Sequence, residues 1–222
     1  MLYLYNKEAG KPQLTLSGDD HRYIFKVRRH KADDILHLRN LEDGLLHTYT
    51  VSHIDKRSVI LDLKESRTVE IKAKHSLHIG WCVIDPKSIE KVLPSLNEMG
   101  VEKITFIYCK RSQKSFKPDF KRLEKILLNS SQQSGRSEMM QLDMAEDLED
   151  FLEENPQSKM LNFSENNFIA ESQFDTIVIG CEGGFHKEEV AFFQADDIIG
   201  FDTPLVLKSE SAACAVSSQK LL

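Results

Sequence analysis

The chain has 222 residues, with a single tryptophan, four cysteines, six prolines and no long apolar run. A membrane-spanning helix needs about 20 consecutive apolar residues, so none is expected. The start, Met1 to Asn6, lacks the basic flank and small-residue cleavage site of a signal peptide, which points to the cytoplasm. Cys82, Cys109, Cys181 and Cys214 form no C-x-x-C, and the eight histidines show no metal-ligand spacing. Free buried thiols in a reducing compartment and no metal are the expectation. Two phosphate cradles are missing as well: there is no G-x-G-x-x-G and no Gly-Lys followed by Ser or Thr.

What is present suits a globular protein, with 41% hydrophobic and 29% charged residues. The net charge of −6 conceals a strong polarity. Between Lys103 and Lys125 there are eight bases and two acids; between Asp143 and Glu154 there are seven acids and no base. Such runs are read either as solvated helix faces or, for the basic one, as a phosphate-binding surface. The basic run leads straight into Gln132-Gln133-Ser134-Gly135-Arg136, which favours RNA contact.

Two regions differ in pattern. Residues 1–70 show short apolar or alternating runs at 2–5, 13–16, 35–39, 45–51 and 59–63, with a turn signal at Asp43-Gly44. This predicts a small β-barrel with one short helix from Asp19 or Asp20, exposing Arg22, Arg28 and Arg29. Residues 71–222 alternate strand and helix, the pattern of a parallel α/β sheet. Strands are expected at 77–84, 104–108, 159–163, 176–179 and 198–201, and helices from Pro86 to Gly100, from Phe120 to Ser131 and from Ser211 to Leu222. Pro94 should kink or divide the first of these helices. The last one is thin, being rich in Ala and Ser, so neighbouring backbone can approach closely.

Candidate chemistry gathers late in the chain. Ile177-Val178-Ile179-Gly180-Cys181-Glu182-Gly183-Gly184-Phe185 reads as a buried strand breaking into a loop poor in side chains, with a helix starting at His186. A strand, glycine loop and helix can present main chain to a ligand at the sheet's carboxyl edge. Alone, the loop is equally well an ordinary strand-to-helix turn.

Together with Leu207-Lys208-Ser209-Glu210-Ser211, however, this loop resembles the I-G-P-E-G-G-F and L-R-x-E-T-A signatures of the RsmE family. These are 16S (small-subunit) rRNA (uracil-N3)-methyltransferases of the SPOUT class. Three more stretches resemble it: residues 19–29, Lys91 to Val101, and the Gln132–Arg136 segment. Cys181 stands for the family's proline, Lys208 for arginine, Ser211 for threonine and Gln132 for glutamate.

The resemblance implies a PUA-like RNA-binding domain over 1–70 and a SPOUT domain with a parallel sheet and trefoil knot over 71–222. It implies S-adenosylmethionine held by Leu161, Gly180, Glu182, Gly183, Gly184, Ile199, Leu205, Leu207 and Lys208. RNA would be bound through Arg22, Arg28, Arg29, Lys110, Arg111, Lys114, Lys117 and Lys121, by a homodimer. Uracil N3 must lose a proton before it attacks a methyl group, and charge then spreads over the ring oxygens. Arg136 suits those oxygens because a guanidinium offers fixed paired donors; phosphate binding or a structural ion pair are its other readings. Glu182 and Glu210 are the nearest carboxylates, as proton acceptors or as orienting groups. A non-catalytic RNA-binding or ribosome assembly factor, or a methyltransferase with a different RNA target, stays open beside this reading.

Overall fold

The computed structural model describes residues 2–27, 31, 34–169 and 173–222. The chain forms two compact units, residues 1–72 with 131–138 and residues 73–130 with 139–222.

The first unit is a curled sheet. Its strands are β1 (Leu4–Tyr5), β2 (Gln13–Ser17), β3 (Ile35–Arg39), β4 (Leu45–Ile54) and β5 (Ser58–Thr68), in the order β1-β3-β4-β5-β2. A short helix α1 (Gly18–His21) runs into a π-helical turn, Arg22–Val27. Strict alternation decides β2: Leu14 and Leu16 face the core while Gln13, Thr15 and Ser17 are exposed. Leu36, Leu38, Tyr49, Val59, Leu61 and Ile24 complete that core. The register between β4 and β5 shifts at Thr48/Tyr49 and at Val51/His53. Such bulges raise local twist and let a five-stranded sheet curl. The β3–β4 turn is built by side chains: Asn40 Oδ1 accepts from the Glu42 and Asp43 amides, and Asp43 Oδ1 accepts from Leu45 N at 2.8 Å.

The second unit is a six-stranded, all-parallel sheet in the order β11-β9-β10-β6-β7-β8. Its strands are β6 (His78–Cys82), β7 (Lys103–Ile107), β8 (Gln141–Ala145), β9 (Lys159–Leu161), β10 (Thr176–Ile179) and β11 (Ile198–Ile199). The helices are α2 (Pro86–Met99), α3 (Phe120–Ser134), α4 (Leu148–Glu154), α5 (Lys187–Val190) and α6 (Ser209–Leu221). Central strands β6, β7 and β10 are almost wholly apolar, as strands covered on both faces must be. Helix α2 starts as the sequence predicts, with Asp85 accepting from the Lys87 amide and Pro86 in the first turn. It stops at Gly100, whose φ of +102° and contact with Ala73 leave no room for a side chain.

Several expectations are corrected. Cys82 and Cys109 are joined in a disulfide, with their Cα atoms 5.5 Å apart, whereas Cys181 and Cys214 are free. The expectation of four free thiols missed this because the two residues meet only when β6 and β7 pair side by side. Of the two outcomes expected at Pro94, division is excluded, since α2 runs unbroken through it. A proline there removes one amide donor, while the Pro94 carbonyl accepts from Ser130 Oγ at 3.1 Å. Strand β8 and helix α4 were not foreseen within the acidic run. No described helix is long and apolar enough to cross a membrane.

Candidate cofactor cavity and basic surface

A cavity of about 520 Å³ opens at the carboxyl ends of β9 and β10. Three segments wall it: Leu161–Ser164 after β9, Ile179–Phe185 after β10, and a stretch from Phe201 to Ser209 leading into α6. The glycine loop folds back as a turn, with Gly184 N donating to Cys181 O at 2.9 Å. Gly184 has a φ of +68°, a region side chains disfavour, so glycine is required there by backbone conformation. Gly200 is fixed by contact instead: a Cβ would lie 2.8 Å from the Asn162 carbonyl oxygen. The rim is apolar and open, with Phe163, Leu205 and Val206 all more than 70% exposed.

Most residues expected to hold the cofactor lie in these walls. Leu161, Gly180, Glu182, Gly183, Gly184, Leu205, Leu207 and Lys208 all line the cavity. Ile199 does not; it is buried in the core beneath. Glu182 is exposed on the wall, whereas Glu210 sits half-buried in the first turn of α6. Burial, and then the nearby charge of Glu210, push the Cys214 thiol pKa up.

The loop is held from behind by groups that sequence reading missed. Glu189 is 2% exposed, and its carboxylate accepts from Lys110 N and from His186 N, each at 2.7 Å. The sequence shows only a helix starting at His186 and gives no sign of these bonds. Arg111 Nη1 donates to the Gly183 carbonyl at 2.6 Å, and Lys110 pairs with Glu188. Two members of the basic run are therefore engaged on the glycine loop and α5. Lys114, Lys117 and Lys121 remain exposed, as does Arg22 in the first unit. Arg28 and Arg29 lie outside the described residues.

Arg136 belongs to the other compact unit. The segment carrying it is stitched to the N-terminal strand: Gln132 O accepts from Leu2 N, and Gln132 Oε1 accepts from Tyr5 N, both at 2.8 Å. Gly135 (φ +86°) lies against Leu2 so closely that a Cβ would sit 2.6 Å from its Cδ1. Arg136 is buried, and its charge acts with that of Arg39 on Tyr3. Burial nevertheless dominates and pushes the Tyr3 pKa up to about 12.

Comparison with known proteins agrees with this architecture. Residues 72–219 match the RNA methyltransferase domain family, and residues 16–64 match the RNA methyltransferase PUA domain family. The chain is 36% identical to ribosomal RNA small subunit methyltransferase E of Helicobacter pylori strain 26695, over 98% of each chain. It is 23% identical to the enzyme of that name from Aquifex aeolicus, again over 98% of each. Among solved structures, a Legionella pneumophila methyltransferase in complex with S-adenosylmethionine superposes with a TM-score of 0.79 at 22% identity, covering 98% of this chain and 95% of that one. The small subunit methyltransferase E of Neisseria gonorrhoeae, also bound to S-adenosylmethionine, gives 0.76 at 16% identity over 98% and 95%. The chain belongs to the ribosomal RNA small subunit methyltransferase E family.

Proposed function

We propose that the protein transfers a methyl group from S-adenosylmethionine to N3 of a uridine in 16S rRNA. The observation that carries this reading is the cavity beside the glycine loop, walled by main chain and apolar side chains in a chain of this family. Adenine and methionine carry no phosphate, and the wall correspondingly lacks a phosphate cradle. The cofactor supplies an electrophilic methyl sulfonium. Around it, the 179–185 and 201–209 segments offer amide and carbonyl groups to a flat base, while Leu161, Leu205 and Leu207 exclude water.

Methyl transfer to N3 would require the residues around the base to take up the proton that leaves the ring. Glu182, the one carboxylate on the cavity wall among the described residues, is our candidate to accept that proton or to orient the base. Glu210, half-buried in the first turn of α6, is the second candidate for either task. Arg136 is the candidate to stabilise charge on the uracil oxygens. We propose that a homodimer brings the Arg136 of one copy to the cavity of the other. RNA phosphates would be held by Lys114, Lys117, Lys121 and Arg22, with residues 1–70 as the RNA-binding domain and 71–222 as the catalytic one. The protein would act in the cytoplasm on the small ribosomal subunit.

Incubation with labelled S-adenosylmethionine and unmethylated 16S rRNA tests this reading. Label should enter the RNA with wild-type protein and fall at least a hundredfold with Arg136→Ala, in line with loss of one charge-stabilising donor. No transfer by a folded wild-type protein that binds both ligands would overturn it.

A further inference from the structure

The glycine loop is also held from the cavity side, by Ser209, which is bonded in turn to Trp81, 128 residues away in sequence. Ser209 Oγ donates to the Gly180 carbonyl at 2.5 Å and accepts from Trp81 Nε1 at 2.8 Å. A serine hydroxyl has one proton, and an indole N–H can only donate, so the direction of both bonds is fixed. Trp81 is fully buried on β6 and is the only tryptophan in the chain. Ser209 is the first residue of α6 and, like Gly180, lines the cavity. Its hydroxyl therefore ties the point where β10 breaks into the glycine loop to the point where the 201–208 loop enters the last helix. These are two of the three cavity walls.

We infer that Ser209, oriented by Trp81, is a positioning residue that sets the spacing of these two walls for the cofactor. Without the hydroxyl, the Gly180 carbonyl loses a partner and the indole N–H is left buried and unbonded. The loops bearing Cys181–Gly184 and Leu205–Lys208 then lose their shared anchor. The consequence falls on cofactor affinity, because Ser209 holds main chain that would contact the cofactor. It falls little on RNA affinity, because Lys114, Lys117 and Lys121 lie on a different segment. The inference rests on the S-adenosylmethionine reading of the cavity. It also makes Trp81 a natural optical probe of cofactor binding.

The test compares wild type with Ser209→Ala, Trp81→Phe and the double variant. It uses calorimetric titration with S-adenosylmethionine, titration with an rRNA fragment, and steady-state kinetics. Removing one hydrogen bond of this kind weakens binding about five- to tenfold, so Ser209→Ala should raise cofactor Kd and KM by that factor. The turnover number should stay within about twofold and RNA affinity should hold. Trp81→Phe keeps an aromatic ring but not the N–H, and should raise cofactor Kd less. The double variant should be no weaker than Ser209→Ala alone, since both changes break one chain of bonds. A folded Ser209→Ala protein with wild-type cofactor affinity overturns the inference, as does an equal loss of cofactor and RNA binding. If Ser209→Ala does not fold, Trp81→Phe decides, and unchanged cofactor affinity there is the refuting result. Failure of the wild type to bind S-adenosylmethionine would instead remove the cofactor reading, and this inference with it.

Discussion

Replacing Glu189 with alanine should loosen the glycine loop more than any change to the exposed charges around it. The carboxylate is buried and accepts two backbone amides, Lys110 N and His186 N, both at 2.7 Å. A hydrogen bond to a charged group contributes about 1.5–3 kcal/mol, which gives about 3–6 kcal/mol for the pair. Lys110 is exposed, so water can partly replace the carboxylate at its amide, and the lower end, about 3 kcal/mol, is expected. For a unit of this size about 3 kcal/mol corresponds to a fall in Tm of roughly 6–12 °C. Glu189→Gln keeps one acceptor oxygen and should cost about half as much, because its NH2 group must face one of the two amides. The assay is thermal unfolding followed by near-ultraviolet circular dichroism, with cofactor affinity measured on the folded fraction. A Glu189→Ala protein melting within 2 °C of wild type, or one whose Gln variant is equally damaged, would refute the bridging role (about 2–4 °C is expected per kcal/mol).

Reversing Lys114, Lys117 and Lys121 to glutamate should weaken RNA binding and lower the slope of log K against log salt by about 2, at about 0.7 per phosphate contact, while leaving cofactor affinity unchanged; an unaltered slope assigns these lysines to solvent. His78 is depressed to about 4 by burial, then by Lys103. Its sign follows from that depression: between pH 6.5 and about 4 the unfolded chain takes up a proton that the folded one refuses. Stability should therefore fall with acidification across that window, and His78→Gln should flatten the fall; identical pH profiles would contradict this. Thiol titration in denaturant should find two reactive groups without reductant and four with it, since Cys82 and Cys109 are paired. Four without reductant would contradict the bridge. Gly80→Ala should destabilise the second unit by about 1–3 kcal/mol, because a Cβ there lies 2.7 Å from the Phe151 ring.

The parts of the molecule visible in the sequence are those written in local pattern. β2 alternates, β6 and β10 are continuous apolar runs, and α2 is bracketed by Asp85-Pro86 and Gly100. The glycine loop stands out because backbone conformation demands glycine at Gly184, and Leu207 to Ser211 because of its resemblance to the family signature. What stayed hidden is made by contacts remote in sequence. Trp81 and Ser209 meet only through the fold, as do Cys82 and Cys109, and Lys110 with Glu189. β8 is an edge strand whose one apolar face is only Leu142 and Met144, partly exposed, so its hydrophobic signal is short and weak. The Gln132–Arg136 motif gave no hint that it packs on Leu2 and Tyr5, since its bonds there run through a main-chain carbonyl and a side-chain amide.

The most direct measurement is mass spectrometry of nucleosides from 16S rRNA treated with this protein and S-adenosylmethionine carrying a deuterated methyl group. The account requires labelled 3-methyluridine as the product, at one uridine, absent when S-adenosylmethionine is withheld. A labelled methyl on a ribose hydroxyl or another base, or no label from protein that binds both cofactor and RNA, would contradict it.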